Sequence, residues 1–275
     1  MDIVAEIKRN VAAALAEDVG TGDWTAKLTP VTTQSNATVI CRENAVVAGQ
    51  PWFDAVFQTL DASTQIHWAV AEGAQAQAGT TLCTVHGPAR ALLTGERTAL
   101  NFLQTLSAVA TKTRSYVDAI AGSQASILDT RKTLPGLRMA LKYAVRMGGG
   151  VNHRIGLYDG ILIKENHIAA AGGVTAALRE AQRIAPKAVW IQIEVETFDQ
   201  LREALAAGAT LILLDNMSPA QMREAVAITA GRAQLEASGG ITLANVREIA
   251  MTGVNRISVG ALTKDIEAVD LSMRF

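Results

Sequence analysis

Cysteine is scarce: Cys41 and Cys83 are the only two in 275 residues, and neither belongs to a CxxC pair. That excludes a zinc ribbon and a disulfide-built scaffold, and points to a reducing, cytoplasmic setting. Both lie in apolar, strand-like runs, where a buried and inert thiol is expected. No apolar run reaches the roughly 18–20 residues that a membrane span needs. The first ten residues carry Asp2 and Glu6 among apolar neighbours, the pattern of neither a signal peptide nor a basic transit peptide. An excess of one charge is also lacking. Lys and Arg number 25 against 26 Asp and Glu, a formal net charge of −1, which argues against broad nucleic-acid binding. There is no P-loop, no GxGxxG and no Ser-His-Asp order. His67 and His86 have no partner at metal-ligand spacing and read as structural or surface histidines.

What the chain does have is a concentrated basic stretch between Ser126 and Ile168. Two β-branched runs, Ser126–Asp129 and Gly160–Ile163, flank a helical pattern from Leu137 to Met147. Arg131 and Lys132 follow the first run, Lys164 follows the second, and His153 and Arg154 lie in the Gly-rich connection. In a nearly neutral protein, such a cluster suits a small polyanion better than a nucleic acid or a membrane surface.

The segment before it reads as an amphipathic helix over residues 3–15, then the turn-rich Glu17–Thr25, whose simplest role is to cap the next element. Strands are expected at Ala37–Arg42, Ala45–Ala48, Gln65–Val70 and Thr80–Val85, a helix at Trp52–Leu60 and a turn at Glu72–Gly79. Together they suggest a small α+β sandwich. A long helical pattern covers residues 96–121. It puts Arg97 in a first turn, where a cation gains nothing from the helix dipole and sits either on an anionic partner or on the surface. Further strands follow at Val189–Val195, Thr210–Leu214, Gln234–Ala237 and Arg256–Val259. They alternate with helical segments at Val174–Ile184, Phe198–Ala207, Pro219–Ala230 and Leu243–Met251. This βα period predicts a parallel barrel, incomplete or seven-stranded, with a doubly wound open sheet as the alternative.

If these strands are parallel, chemistry gathers at their carboxyl ends. Those ends carry Asp129–Lys132, Lys164-Glu165-Asn166, Glu194 and Glu196, Asp215-Asn216, Ser238-Gly239-Gly240 and Gly260. Glu194 and Asp215 are hard oxygen donors suited to Mg²⁺ beside a substrate phosphate, or else Asp215 is a helix cap and Glu194 an exposed side chain. The Ser238-Gly239-Gly240 turn suits a phosphate held by backbone N–H groups, or is simply a tight βα turn. Lys164 also stands where a Schiff-base lysine would stand, an open alternative.

The run Asp129–Gly136 (D-T-R-K-T-L-P-G), the glycines 148–150 with Asn152-His153-Arg154, and Leu162–His167 (L-I-K-E-N-H) closely resemble the quinolinate phosphoribosyltransferases, also called carboxylating nicotinate-nucleotide pyrophosphorylases. The similarity extends through Glu17–Thr25, Glu96–Asn101, Glu194–Glu196, Leu214–Asn216, Glu236–Thr242 and Ser258–Gly260, nearly the whole chain. A related branch linked to molybdenum transport operons shares the first part of the motif. Leu157–Gly160 and Lys164–His167 are more similar to the quinolinate enzymes.

The resemblance implies an N-terminal α/β sandwich over residues 1–108 and an incomplete, about seven-stranded α/β barrel over 109–275, type II phosphoribosyltransferase-like. The last residues would return to the N-terminal domain. It implies a cytoplasmic homodimer, in some members a hexamer, with Arg97 donated across the interface. The implied reaction joins quinolinate to phosphoribosyl pyrophosphate with Mg²⁺, giving nicotinate mononucleotide, pyrophosphate and CO₂, a step of de novo NAD biosynthesis. By the same resemblance Arg97, Arg131, His153, Arg154 and Lys164 bind the two carboxylates, Lys132 and Lys164 meet the pyrophosphate side, and Thr130 is a further substrate-binding residue. Glu194 and Asp215 serve the ribose or Mg²⁺, and Ser238, Gly239, Gly240 and Gly260 cradle the 5′-phosphate. Lys132, Lys164, Glu194 and Asp215 are the implied catalytic set.

Overall fold

A computed structural model describes residues 2–275. The chain opens with α1 (Ile3–Asp18), β1 (Gln34–Cys41), β2 (Ala45–Val46), α2 (Gln50–Leu60), β3 (Gln65–Trp68), β4 (Gln75–Ala76) and β5 (Thr81–Pro88). Then come α3 (Ala89–Ala119), β6 (Ser126–Leu128), α4 (Arg138–Met147), β7 (Gly160–Ile163), α5 (Glu165–Ala171) and α6 (Val174–Ile184). The remainder is β8 (Trp190–Val195), α7 (Phe198–Ala206), β9 (Leu211–Asp215), α8 (Pro219–Thr229) and β10 (Gln234–Ser238). It ends with α9 (Val246–Ala250), β11 (Arg256–Ser258), α10 (Ala261–Lys264) and β12 (Leu271–Arg274). No helix among the described residues is long and apolar enough to cross a membrane.

Two compact units result. One holds the chain up to Arg114 together with Thr133–Gly149 and Leu262–Phe275; the other holds Ser115–Lys132 and Gly150–Ala261.

The first unit is built on an antiparallel sheet of order β12-β1-β5-β3, with β2 and β4 forming a separate pair. Alternation along β1 and β5 sends Val39, Cys41, Cys83 and Val85 inward, and Trp52, Phe53, Val56 and Phe57 of α2 are equally buried. Phe53 meets Phe57 and Trp68 edge-on, at centroid distances of 5.1 and 5.2 Å. The two thiols are inert, both held above their usual range chiefly by burial.

The helix read as starting at Glu96 begins instead at Ala89. The reason is Gly95, which looks like a break in the sequence. Here it lies inside the helix, and it is glycine because a Cβ would come within 2.8 Å of Phe57 and 2.9 Å of Leu60. Arg97 is therefore in the third turn, and the dipole argument for its partner lapses. The Glu17–Thr25 loop does act as a cap. Asp23 Oδ1 accepts the N–H groups of Thr25 and Ala26 at 2.9 and 3.0 Å, and Oδ2 accepts the Thr94 hydroxyl at 2.9 Å.

The second unit carries a six-stranded sheet of order β6-β11-β10-β9-β8-β7, parallel at every pairing. The runs Gly-Ile-Leu-Ile of β7 and Leu-Ile-Leu-Leu of β9 are the near-continuous apolar type that a sheet covered on both faces needs. Six strands form ladders, where about seven were expected. Val151 makes a single parallel bridge to Leu128 at the β6 edge. It goes no further because Asn152 and His153 turn to donate hydrogen bonds to the Asp129 carboxylate, at 2.6 and 2.8 Å.

Candidate active site

Because all six strands run the same way, their carboxyl ends bring distant residues to one place. A cleft of about 680 Å³ opens there. From the end of β6 it receives Thr130, Arg131 and Lys132, from the segment between α4 and β7 His153 and Arg154, and from the end of β7 Lys164. Glu194 of β8, Asp215 of β9, and Ser238, Gly239 and Gly240 at the end of β10 complete the wall.

Lys164 reaches across to Glu194, Nζ to Oε2 at 3.1 Å; the carboxylate is buried and the lysine side chain about half exposed. Burial pushes the Glu194 carboxyl above its usual range; Lys164 opposes this, and the charges of Asp215 and Glu165 add to it. Neither plain alternative for the two carboxylates holds. Glu194 is 8% exposed, and α8 is capped by Ser218, whose hydroxyl accepts the Gln221 N–H at 3.3 Å. Asp215 instead accepts a hydrogen bond from the Asn216 side chain at 2.8 Å and faces the cleft.

The glycines have distinct tasks. Gly239 has φ +100°, and a Cβ there would collide with the Asn216 side chain, so only glycine lets the β10 turn pass Asn216. Gly240, φ +60°, faces open space. Gly260 lies beneath the basic cluster: a Cβ would stand 3.1 Å from the Lys132 stem and 3.7 Å from Thr130 Oγ1. Thr130 Oγ1 in turn accepts the Lys132 N–H at 3.0 Å, fixing the turn that carries the lysine.

Arg154 donates from Nη1 to the Gly160 carbonyl at 3.1 Å. Burial and then the nearby Arg131 charge make its guanidinium less basic than usual, with Asp159 opposing. Asp159 also closes the loop, accepting the N–H groups of Ile155 and Gly156 at 2.8 Å each.

His153 differs from the sequence reading, which counted it as a further potential cation. Its Nδ1 accepts the Arg154 N–H at 2.8 Å, and its Nε2 lies 3.0 Å from Gln192 Oε1. A backbone N–H can only donate, so Nδ1 is unprotonated and the ring is neutral in this arrangement.

Arg97 lies on α3 in the first unit and is not among the residues lining this cleft. Sequence reasoning gave no role to Glu236, Ser258, Leu162 and Leu213, all of which line it. Glu236 is the most informative of these. It is fully buried in the middle of β10 and sits in register with Arg256 of β11. An acid inside one apolar strand and a base inside another were the available signal.

Among the described residues no group of three or more His, Cys, Asp or Glu is arranged to hold a metal by itself. Glu194 and Asp215 both line the cleft, and their carboxylate oxygens are of the hard type that suits Mg²⁺.

Comparison with known proteins agrees with this architecture. The profile described as quinolinate phosphoribosyl transferase, C-terminal domain, matches residues 109–274, and the corresponding N-terminal domain matches 23–107. The chain belongs to the quinolinate phosphoribosyltransferase family. The probable carboxylating nicotinate-nucleotide pyrophosphorylase of Bacillus subtilis is 44% identical over 98% of this chain and 93% of its own. Quinolinate phosphoribosyltransferase [decarboxylating] 1 of Nicotiana glauca is 38% identical over 98% of this chain and 82% of its own. The solved nicotinate-nucleotide pyrophosphorylase of Francisella tularensis superposes with a TM-score of 0.95 at 44% identity, covering 98% of this chain and 96% of the other. Family membership thus covers the elements that carry the cleft.

Proposed function

We propose that this cleft joins quinolinate to phosphoribosyl pyrophosphate and releases pyrophosphate and CO₂, giving nicotinate mononucleotide for de novo NAD biosynthesis. One observation carries the reading beyond family membership. Cationic side chains from the β6 and β7 ends, Arg131, Lys132 and Lys164, and Arg154 from the segment before β7 share a single cleft with two carboxylates and a glycine turn. A dicarboxylate and a pyrophosphate need the first set, and a ribosyl cation with a 5′-phosphate needs the second.

Arg131 and Arg154 offer planar forks for the quinolinate carboxylates, and Lys164 a point charge between them and Glu194. Lys132 and Thr130 face the pyrophosphate, while Ser238, Gly239, Gly240 and the adjoining Gly260 serve the 5′-phosphate. As the C–O bond to pyrophosphate lengthens, positive charge grows on the anomeric carbon, where Glu194 and Asp215 stabilise it. The pyridine nitrogen attacks that carbon and becomes cationic. It can then accept the electron pair left on the ring when the adjacent carboxylate departs as CO₂, and a proton replaces it. Mg²⁺, held by Glu194 and Asp215 with the substrate phosphates, would neutralise the leaving pyrophosphate. Orientation and fixed charge do the work, with no covalent enzyme intermediate.

No observation favours a Schiff-base lysine. The Lys164 side chain is about half exposed and lies 3.1 Å from the buried Glu194 carboxylate, whereas that chemistry calls for a lysine desolvated in an apolar pocket or set beside another cation. The assembly we propose is a homodimer, open to hexamer formation, in which Arg97 enters the neighbour's cleft. Mixing Arg97→Ala with Lys164→Ala protein would then restore roughly a quarter of wild-type sites, through mixed dimers with one intact cleft.

The reading is tested by turnover with phosphoribosyl pyrophosphate, Mg²⁺ and either quinolinate or nicotinate. Nucleotide and CO₂ from quinolinate alone is the expected result. Equal use of nicotinate, or no nucleotide from either, would overturn it. Lys164→Arg is expected to keep partial activity.

A further inference from the structure

From the cleft wall inward runs a chain of polar groups, His153, Gln192, Glu236 and Arg256, to which the proposed reaction gives no role. Glu236 is 0% exposed, a position that a carboxylate holds only when paired. Its Oε2 accepts Arg256 Nε–H at 3.0 Å and Gln192 Nε2–H at 3.1 Å. The rest of the chain follows from donor and acceptor rules. A carboxylate only accepts, so the Gln192 amide must turn its nitrogen toward Glu236 and its oxygen toward the His153 ring. An amide oxygen also only accepts, so His153 Nε2, 3.0 Å away, must carry the proton. Nδ1 is thereby left free to accept the Arg154 N–H at 2.8 Å. The other Glu236 oxygen, Oε1, lies 3.5 Å from the same ring nitrogen and makes no hydrogen bond of its own. Trp190 stands edge-on to the ring at 5.1 Å and fixes its plane, and Asp129 holds the His153 N–H at 2.8 Å.

From this we infer that Glu236 is a positioning residue: clamped by Arg256, it sets the Gln192 amide and through it the Nε2–H tautomer of His153, which anchors the backbone beneath Arg154. His153 then serves the site by holding Arg154 in place, not by lending a charge. The consequence for substrate rests on the proposed dicarboxylate role of Arg154; the hydrogen-bond order does not.

Glu236→Gln puts a donor where only acceptors stood. Its amide can donate to Gln192, which lets the Gln192 amide rotate, present its N–H to His153 and favour the wrong tautomer.

The test has two arms. Long-range ¹H–¹⁵N correlation of the histidine side chains in substrate-free enzyme, with His153 assigned through His153→Asn, should show Nδ1 unprotonated and Nε2 protonated. An imidazolium or an Nδ1–H ring at neutral pH would overturn the inference, whatever the enzyme turns over. In Glu236→Gln the tautomer should become mixed, and KM for quinolinate should rise on the order of tenfold, as for loss of one charge-assisted hydrogen bond. KM for phosphoribosyl pyrophosphate should stay within about twofold, and Glu236→Asp should recover part of the loss. An unchanged tautomer with unchanged constants, or an equal rise in both KM values, would also overturn it. If Glu236→Gln does not fold, Gln192→Leu removes the same link and is read the same way. Absence of quinolinate turnover by the wild type would sink the proposed function while leaving the tautomer arm to stand or fall by itself.

Discussion

Glu72 in the first unit and Glu194 in the second are both carboxylates that burial drives above the usual carboxylate range. Their partners differ. Glu72 accepts the N–H groups of Gly49 and Gln50 at 2.7 and 3.2 Å, and a hydrogen bond from the Tyr143 hydroxyl. It caps the N-terminus of α2, whose own cap position, Gly49, has no side chain to do so. The glycine is needed there: its φ is +108°, and a Cβ would lie 3.0 Å from Leu106 Cδ1. Glu194 instead pairs with a half-exposed lysine and looks into a cleft beside Asp215. A buried carboxylate satisfied by backbone builds the fold. One satisfied by a charged side chain at an open strand end remains available to a ligand.

Substitutions can break or sharpen that contrast. The largest effect should come from emptying the first unit's core. Trp52 is fully buried, donates its Nε1–H to Asn10 at 3.1 Å and packs on Tyr143 at 5.2 Å. Trp52→Ala should cost about 3–5 kcal/mol in chemical denaturation. Next, Lys164→Ala should lower turnover about 10²–10³-fold, as loss of a preorganised charge does. Its loss of stability should be smaller than that of Trp52→Ala, because water in the cleft can solvate Glu194. Glu72→Ala should do the opposite. It should cost about 1–3 kcal/mol of stability by leaving helix N–H groups unsatisfied, with both KM values unchanged.

The smallest effect concerns Asp23, whose carboxyl is held below its usual range, first by the Ala26 N–H and then by the Thr94 hydroxyl. A depressed folded value means that the charged form supports the fold. The contribution is therefore present above the ordinary value of about 3.9 and fades as pH falls through the lower, folded one. Asp23→Ala should cost about 1 kcal/mol near neutrality, and progressively less at acid pH, in denaturation series at several pH values. An undiminished difference at low pH would contradict the assignment.

Much of this could be read from the chain itself. The strands at β6 through β11 were visible because runs rich in Ile, Leu and Val recur at the βα period, and their ends named twelve residues that share the cleft. Gly95 hid the true start of α3, since its packing against Phe57 and Leu60 is invisible without coordinates. Glu236, Gln192 and Arg256 were missed because only strand register brings them together. His153 was counted as a potential cation because residue type does not say which ring nitrogen a neighbouring N–H will occupy. The short helix α5 escaped notice because its start coincides with a strand end, where His167 Nδ1 accepts the Lys164 N–H at 2.9 Å.

The most direct test of the central claim, that one strand-end cleft makes the glycosidic bond and then expels CO₂, is a single-turnover experiment. It would use quinolinate labelled in the carboxylate beside the ring nitrogen. Labelled CO₂ should appear in equal amount to nucleotide, and only with phosphoribosyl pyrophosphate present, because the ring must become cationic before it can accept the electron pair. Nucleotide that keeps the label, or CO₂ released without phosphoribosyl pyrophosphate, would contradict it.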